Sequence, residues 1–144
     1  MLTDIFRNHL LMNALAAWAA AQVLKFIIYL ALNRSIDWDR LLGDGGMPSG
    51  HSATVTALAV TSGVEYGCGS PIFAVCVILA FIVMHDAMGV RREAGRHAKA
   101  INELLEMLSS EQEPEAKLEE FLGHSPLQVC CGALLGLVIA CALG

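Results

Sequence analysis

The sequence predicts an all-α integral membrane helical bundle, with about four transmembrane helices and a cytoplasmic amphipathic helix. Three observations carry that expectation. Apolar residues make up 56% of the 144-residue chain and charged residues only 16%, against about 25% charged in soluble domains. Several apolar runs approach the roughly 20 residues that a bilayer-crossing helix needs. No stretch alternates apolar and polar residues with the period of a strand. The mean hydropathy of +0.57 agrees. A soluble four-helix bundle with a very apolar core is the alternative that this composition leaves. The length allows one membrane domain, residues 1–144. Intrinsic disorder is excluded, because it needs low hydrophobicity and high charge. A net charge of −5 excludes a dedicated nucleic-acid binder, since phosphate backbones call for a basic surface.

The first run, residues 10–32, is long enough to cross a bilayer and is interrupted by Gln22 and Lys25. It is too long, and its basic flank too thin, for a cleaved signal peptide. The second, residues 51–66, is rich in Ala, Thr, Ser and Val. It would be a marginal span alone, but its small residues suit a helix packed tightly inside a bundle. The third, residues 71–88, is strongly apolar to Met84 and then carries His85 and Asp86. The fourth, residues 126–144, holds Gly132, Gly136 and Ala140 at four-residue spacing. That is either a stripe for close helix contact or ordinary glycine tolerance in a membrane helix.

Between the last two runs lies a polar insert, residues 89–123. Its first half reads as an amphipathic helix, with Ala94, Ala98, Ile101, Leu104, Leu105 and Leu108 at three- and four-residue steps. Its second half is acidic around Pro114 and reads as a solvated linker with a short helix. Four spans place Arg34, Arg40, Arg91, Arg92, Arg96, Lys99 and Lys117 on one side and Arg7 on the other. The positive-inside rule makes the basic side cytoplasmic.

Five cysteines form no CxxC pair and read as small buried apolar residues rather than a metal site. The chemistry gathers elsewhere. The stretch from Gly45 to Ser52 opens the second helix, His85-Asp86 ends the third with Gly89 to Arg92 following, and Gly123 to Gln128 opens the fourth. The topology puts all three on the basic side. Lys25 lies roughly 10 Å below the same face. Glycines before a helix let backbone N–H groups approach an anion, and the helix N-terminus adds positive potential. Ser49 can donate its hydroxyl, Arg91 or Arg92 can grip phosphate oxygens, and Lys25 adds a point charge. His51 and His124 supply a nucleophile and a general acid. Asp86 can orient a histidine, pair with Arg91 or Arg92, or bind a metal, and pairing is favoured. His9 and His97 read as surface residues, and Lys25 has a purely interfacial snorkelling alternative.

Pro48-Ser49-Gly50-His51 resembles the second signature of the type 2 phosphatidic acid phosphatase and vanadium haloperoxidase superfamily. The whole chain is more similar to that superfamily's divergent branch of small bacterial and plastid membrane proteins. The matching stretches are Ala21 to Lys25, Gly45 to Ala53, Asp86 to Gly95, Asn102, and Leu122 to Pro126 with Val129 and Gly132. The resemblance implies that Lys25, Ser49, Gly50 and Arg91 or Arg92 bind the substrate phosphate. It implies His51 as general acid and His124 as the nucleophile, with Gln128 at the position of the acid that orients it. The sequence departs from the pattern in three ways. Gln128 is neutral, an insert of 30-odd residues parts Arg92 from His124, and the first-signature arginine has no clear match beyond Arg34 or Arg40. Four helices in place of six leave room for a homodimer to complete the bundle.

The expected function is hydrolysis of a membrane lipid phosphate monoester through a phosphohistidine, with no cofactor and no metal. The expected setting is the cytoplasmic face of a bacterial inner membrane or a plastid membrane. A non-catalytic module binding an anionic lipid headgroup or a partner protein is the alternative, and a small transporter a third reading.

Overall fold

The computed structural model describes residues 2–34, 46–108, 118 and 123–144. The sequence expectations for Arg40, Gly45, Lys117 and the acidic half of the insert fall outside these residues, Leu118 excepted. Six helices are described: α1 (Leu2–Phe6), α2 (His9–Asn33), α3 (Gly50–Tyr66), α4 (Pro71–Met88), α5 (Val90–Leu108) and α6 (Pro126–Leu143). The described residues contain no strand. The protein is an all-α membrane helical bundle. Three stretches are long and apolar enough to cross a membrane: α2, the long helical stretch that begins with α4, and α6.

Local chemistry explains where the helices start. Asn8, Ser49, Ser70 and Ser125 are the N-caps of α2, α3, α4 and α6, each accepting a backbone N–H of the first turn. An oxygen at that position satisfies one of the donors that a helix start leaves unpaired. Pro71 and Pro126 occupy first-turn positions that need no N–H. Arg34, with φ of 52°, closes α2 in a left-handed turn and donates its N–H to the Leu30 carbonyl at 3.0 Å.

The 17-residue α3 is the centre of the bundle. It packs against α2, α4 and α6, and α2 also packs against α6. This answers the marginal look of its sequence, because a helix enclosed by three others needs little lipid-facing leucine. The core is built of small side chains, with Ala17 and Ala21 of α2 meeting Ala53 and Ala57 of α3 and Ala140 of α6. Small residues let backbones approach and gain dispersion contact where lipid and protein are equally apolar.

Gly132 and Gly136 show how close that approach is. A Cβ on Gly132 would fall 2.3 Å from the Ser49 carbonyl oxygen, and one on Gly136 would fall 2.2 Å from that of Ala53. Of the two readings of this stripe, close helix contact is the observed one. Across the core, Asn13 Nδ2 donates to Thr61 Oγ1 at 3.1 Å, and both residues are buried.

The cysteine expectation is corrected in part. Only Cys76 is buried, while Cys68, Cys130 and Cys141 are exposed and Cys131 is half-buried. Apolar runs put cysteines in helices, but in a membrane bundle much of each helix faces outward. His9 is an exposed residue, as expected, and its Nδ1 lies 2.7 Å from Glu65 Oε1.

Candidate functional site

The starts of α3 and α6 and the end of α4 are tied together by backbone hydrogen bonds. Ser49 N–H donates to the Gln128 carbonyl at 3.0 Å, and His124 N–H donates to the Ala87 carbonyl at 2.9 Å. The turn into His124 depends on Gly123. Its φ is +84°, and a Cβ there would lie 2.4 Å from the Arg92 backbone nitrogen. Both the backbone conformation and the space admit glycine alone.

This clamp brings His51 and His124 together. Their ring centroids are 6.3 Å apart at an interplanar angle of 57°. His51 is half-buried, and His124 is only 3% exposed. Imidazole is the side chain best suited to move protons near neutral pH, and two rings at this spacing can address one small group between them.

A cavity of about 370 Å³ opens beside His51, between α2, α3 and α4. Trp18, Gln22 and Lys25 line it from α2, Gly50 and His51 from the first turn of α3, and Val83 from α4. Lys25 is 7% exposed. Its ammonium lies close to the start of α3, where a Cβ on Gly50 would be 4.0 Å from Nζ. The same point is 3.9 Å from Gln22 Oε1 and 3.6 Å from Trp18 Cδ1. Ser52 N–H is taken by the Ser49 cap at 3.3 Å. The N–H groups of Gly50 and His51 precede the first intrahelical bond, so they remain donors to whatever occupies the cavity. A positive helix end, an ammonium and an imidazole thus face one space, which suits an anion.

Other sequence candidates stand differently. Ser49 is fully buried, and its hydroxyl oxygen accepts from both Ser52 N–H and Ser52 Oγ. Its oxygen thus caps α3 as an acceptor, a role beside the donor role expected of its O–H. Gln128 closes a capping box on α6, its Oε1 accepting Ser125 N–H at 2.8 Å. An N3 glutamine reaches back to its own N-cap in this way, so Gln128 has a capping role beside the orienting one expected of it. Asp86 accepts from Arg91 Nε at 3.0 Å, with both side chains about two-fifths exposed. Arg92 is exposed and forms no ion pair among the described residues. Neither arginine lines the cavity. Arg34 is an exposed C-cap. His85 stacks on Phe81 at 6.0 Å. Among the described residues, no group of three or more His, Cys, Asp or Glu is arranged to hold a metal ion.

The residues that sequence reasoning missed are Trp18, Thr54, Val55 and Val83, and Gln22 as more than an interruption. A signal existed for two of them. Trp18, Gln22 and Lys25 follow the i, i+4, i+7 spacing of one helix face, so the intramembrane lysine already named their side.

Fold and site together define a small all-α membrane protein in which Lys25 and His51 share one cavity and His124 lies against His51. The chain belongs to the divergent PAP2 family, whose model matches residues 6–139. It is 40% identical over 152 residues to the uncharacterized membrane protein YuiD of Bacillus subtilis strain 168, covering 97% of this chain and 96% of that one. No solved structure matches it.

Proposed function

We propose that the protein is a metal-independent membrane phosphatase that hydrolyses a lipid phosphate monoester. The observation that carries this reading is the 6.3 Å separation of the His51 and His124 rings, with His51 lining the Lys25 cavity and His124 behind it. The phosphate sits at the first turn of α3, with Lys25 and the N–H groups of Gly50 and His51 taking its charge. A ring nitrogen of His124 attacks phosphorus. The bond from phosphorus to the lipid oxygen breaks, and that oxygen takes a proton from His51. Water then attacks the phosphohistidine and gives His51 a proton as the P–N bond breaks, releasing inorganic phosphate. This assignment of the two histidines follows the family resemblance. Arg91, Arg92, Arg96 and Lys99 lie at the same end of the bundle, which favours the cytoplasmic leaflet.

The test uses the purified full-length chain in detergent with a long-chain phosphate monoester. Phosphate release continues in EDTA and falls by roughly 10²–10⁴ in His51→Ala and in His124→Ala. Alkaline quenching traps a phosphohistidine at His124. No release by the wild type, or release only with an added divalent metal, overturns the proposal.

Two observations favour a second reading, a non-catalytic lipid-phosphate binder. His124 is almost wholly buried, and the Gln128 amide oxygen serves the helix cap. That reading predicts saturable binding of the same lipid with no phosphohistidine at any enzyme concentration.

A further inference from the structure

Gln22 is 8% exposed, lines the cavity, and its Oε1 has no hydrogen-bond partner among the described residues. A buried acceptor without a donor calls for an explanation, and one that lines a cavity can be completed by what enters it. The amide oxygen is turned toward the first turn of α3, where a Cβ on Gly50 would lie 3.9 Å from Oε1. Gln22 lies one helical turn from Lys25 toward the middle of α2, about 4.5 Å further into the bundle. A lipid phosphate held at Lys25 and the start of α3 therefore leads its backbone past Gln22.

We propose that Gln22 is a specificity-determining residue that accepts a hydrogen bond from a hydroxyl on the carbon next to the phosphorylated one. The substrate class is then a one-chain glycerol phosphate with a free hydroxyl, rather than a fully acylated or prenyl phosphate, which offers no donor there. An ammonium in that position is disfavoured by Lys25, whereas a neutral hydroxyl is not. Trp18, Val55 and Val83 supply the apolar wall for the chain beyond it. This inference rests on the phosphate-binding part of the proposed function and not on turnover.

The decisive pair of probes is 1-acyl-glycerol 3-phosphate and 3-acyloxypropyl phosphate with the same acyl chain, which differ by one hydroxyl. The full-length wild type prefers the hydroxyl-bearing lipid by at least about tenfold, in kcat/KM and in competition binding, because the analogue leaves a buried acceptor unpaired. In Gln22→Met the preference shrinks to about twofold or less, through loss on the hydroxyl-bearing lipid alone. The thermal midpoint of the unliganded variant stays level or rises, an outcome that a purely structural glutamine would not give. Equal handling of both lipids by the wild type, or an equal loss on both in Gln22→Met, overturns the inference and leaves the phosphatase reading standing. A tenfold binding preference without phosphate release supports the inference and sinks the phosphatase. Failure to bind either lipid overturns both.

Discussion

Ser49 donates its backbone N–H to the carbonyl of Gln128 at 3.0 Å, joining the first turns of two helices far apart in the chain. Each of those starts carries one histidine of the candidate site. The bond forms because Gly132, one turn further along α6, lets that helix rest on the Ser49 carbonyl. The spacing of His51 and His124 is thus set by a backbone contact that only missing side chains permit.

Gly132→Leu and Gly136→Leu test that dependence. Each forces α6 away from α3, where even an added Cβ would overlap backbone atoms. The expected cost is about 1–3 kcal/mol or more, the range for overpacked cores. Thermal unfolding in detergent reads it, and Gly132→Leu loses lipid-phosphate binding as well. A midpoint unchanged in both variants would sink the packing account.

Gln128 separates capping from catalysis. Gln128→Ala removes the reciprocal half of the capping box and costs about 0.5–1.5 kcal/mol, the net worth of one hydrogen bond. Gln128→Glu keeps an acceptor for Ser125 N–H, so stability and phosphate release both stay near wild type. Loss of activity in Gln128→Glu with full stability would instead give this side chain a direct part in the reaction.

The Asn13–Thr61 hydrogen bond joins α2 to α3 at the other end of the bundle from the histidines. Asn13→Ala leaves the buried Thr61 hydroxyl without that donor. Hydrogen bonds between membrane helices average about 0.6 kcal/mol and reach about 1.7. A drop of that size in unfolding free energy, with the lipid-phosphate affinity unchanged, is the expected result. A loss of affinity would mean that the two ends of the bundle are coupled.

Helix starts were legible locally. Ser70-Pro71 and Ser125-Pro126 carry the cap and first-turn residues that their helices use, and the apolar runs carry the length a bilayer demands. The Lys25, His51 and His124 candidates were legible because each breaks an otherwise apolar or small-residue pattern. The functions assigned to Ser49 and Gln128 were less legible, since a polar residue at a helix start serves a cap or a ligand with the same atoms.

The sequence by itself determined an all-α membrane chain, its family, and the candidate residues Lys25, His51 and His124. Hydropathy, helical period and caps are properties of neighbouring residues, so they can be read without coordinates. Only the tertiary structure decided that Gln22 and Trp18 share a cavity with Lys25 and His51, and that the His51 and His124 rings face each other. Those outcomes depend on how each helix is rotated about its axis. That rotation is fixed by small-residue contacts across the bundle, such as Gly136 on Ala53, which no local pattern encodes.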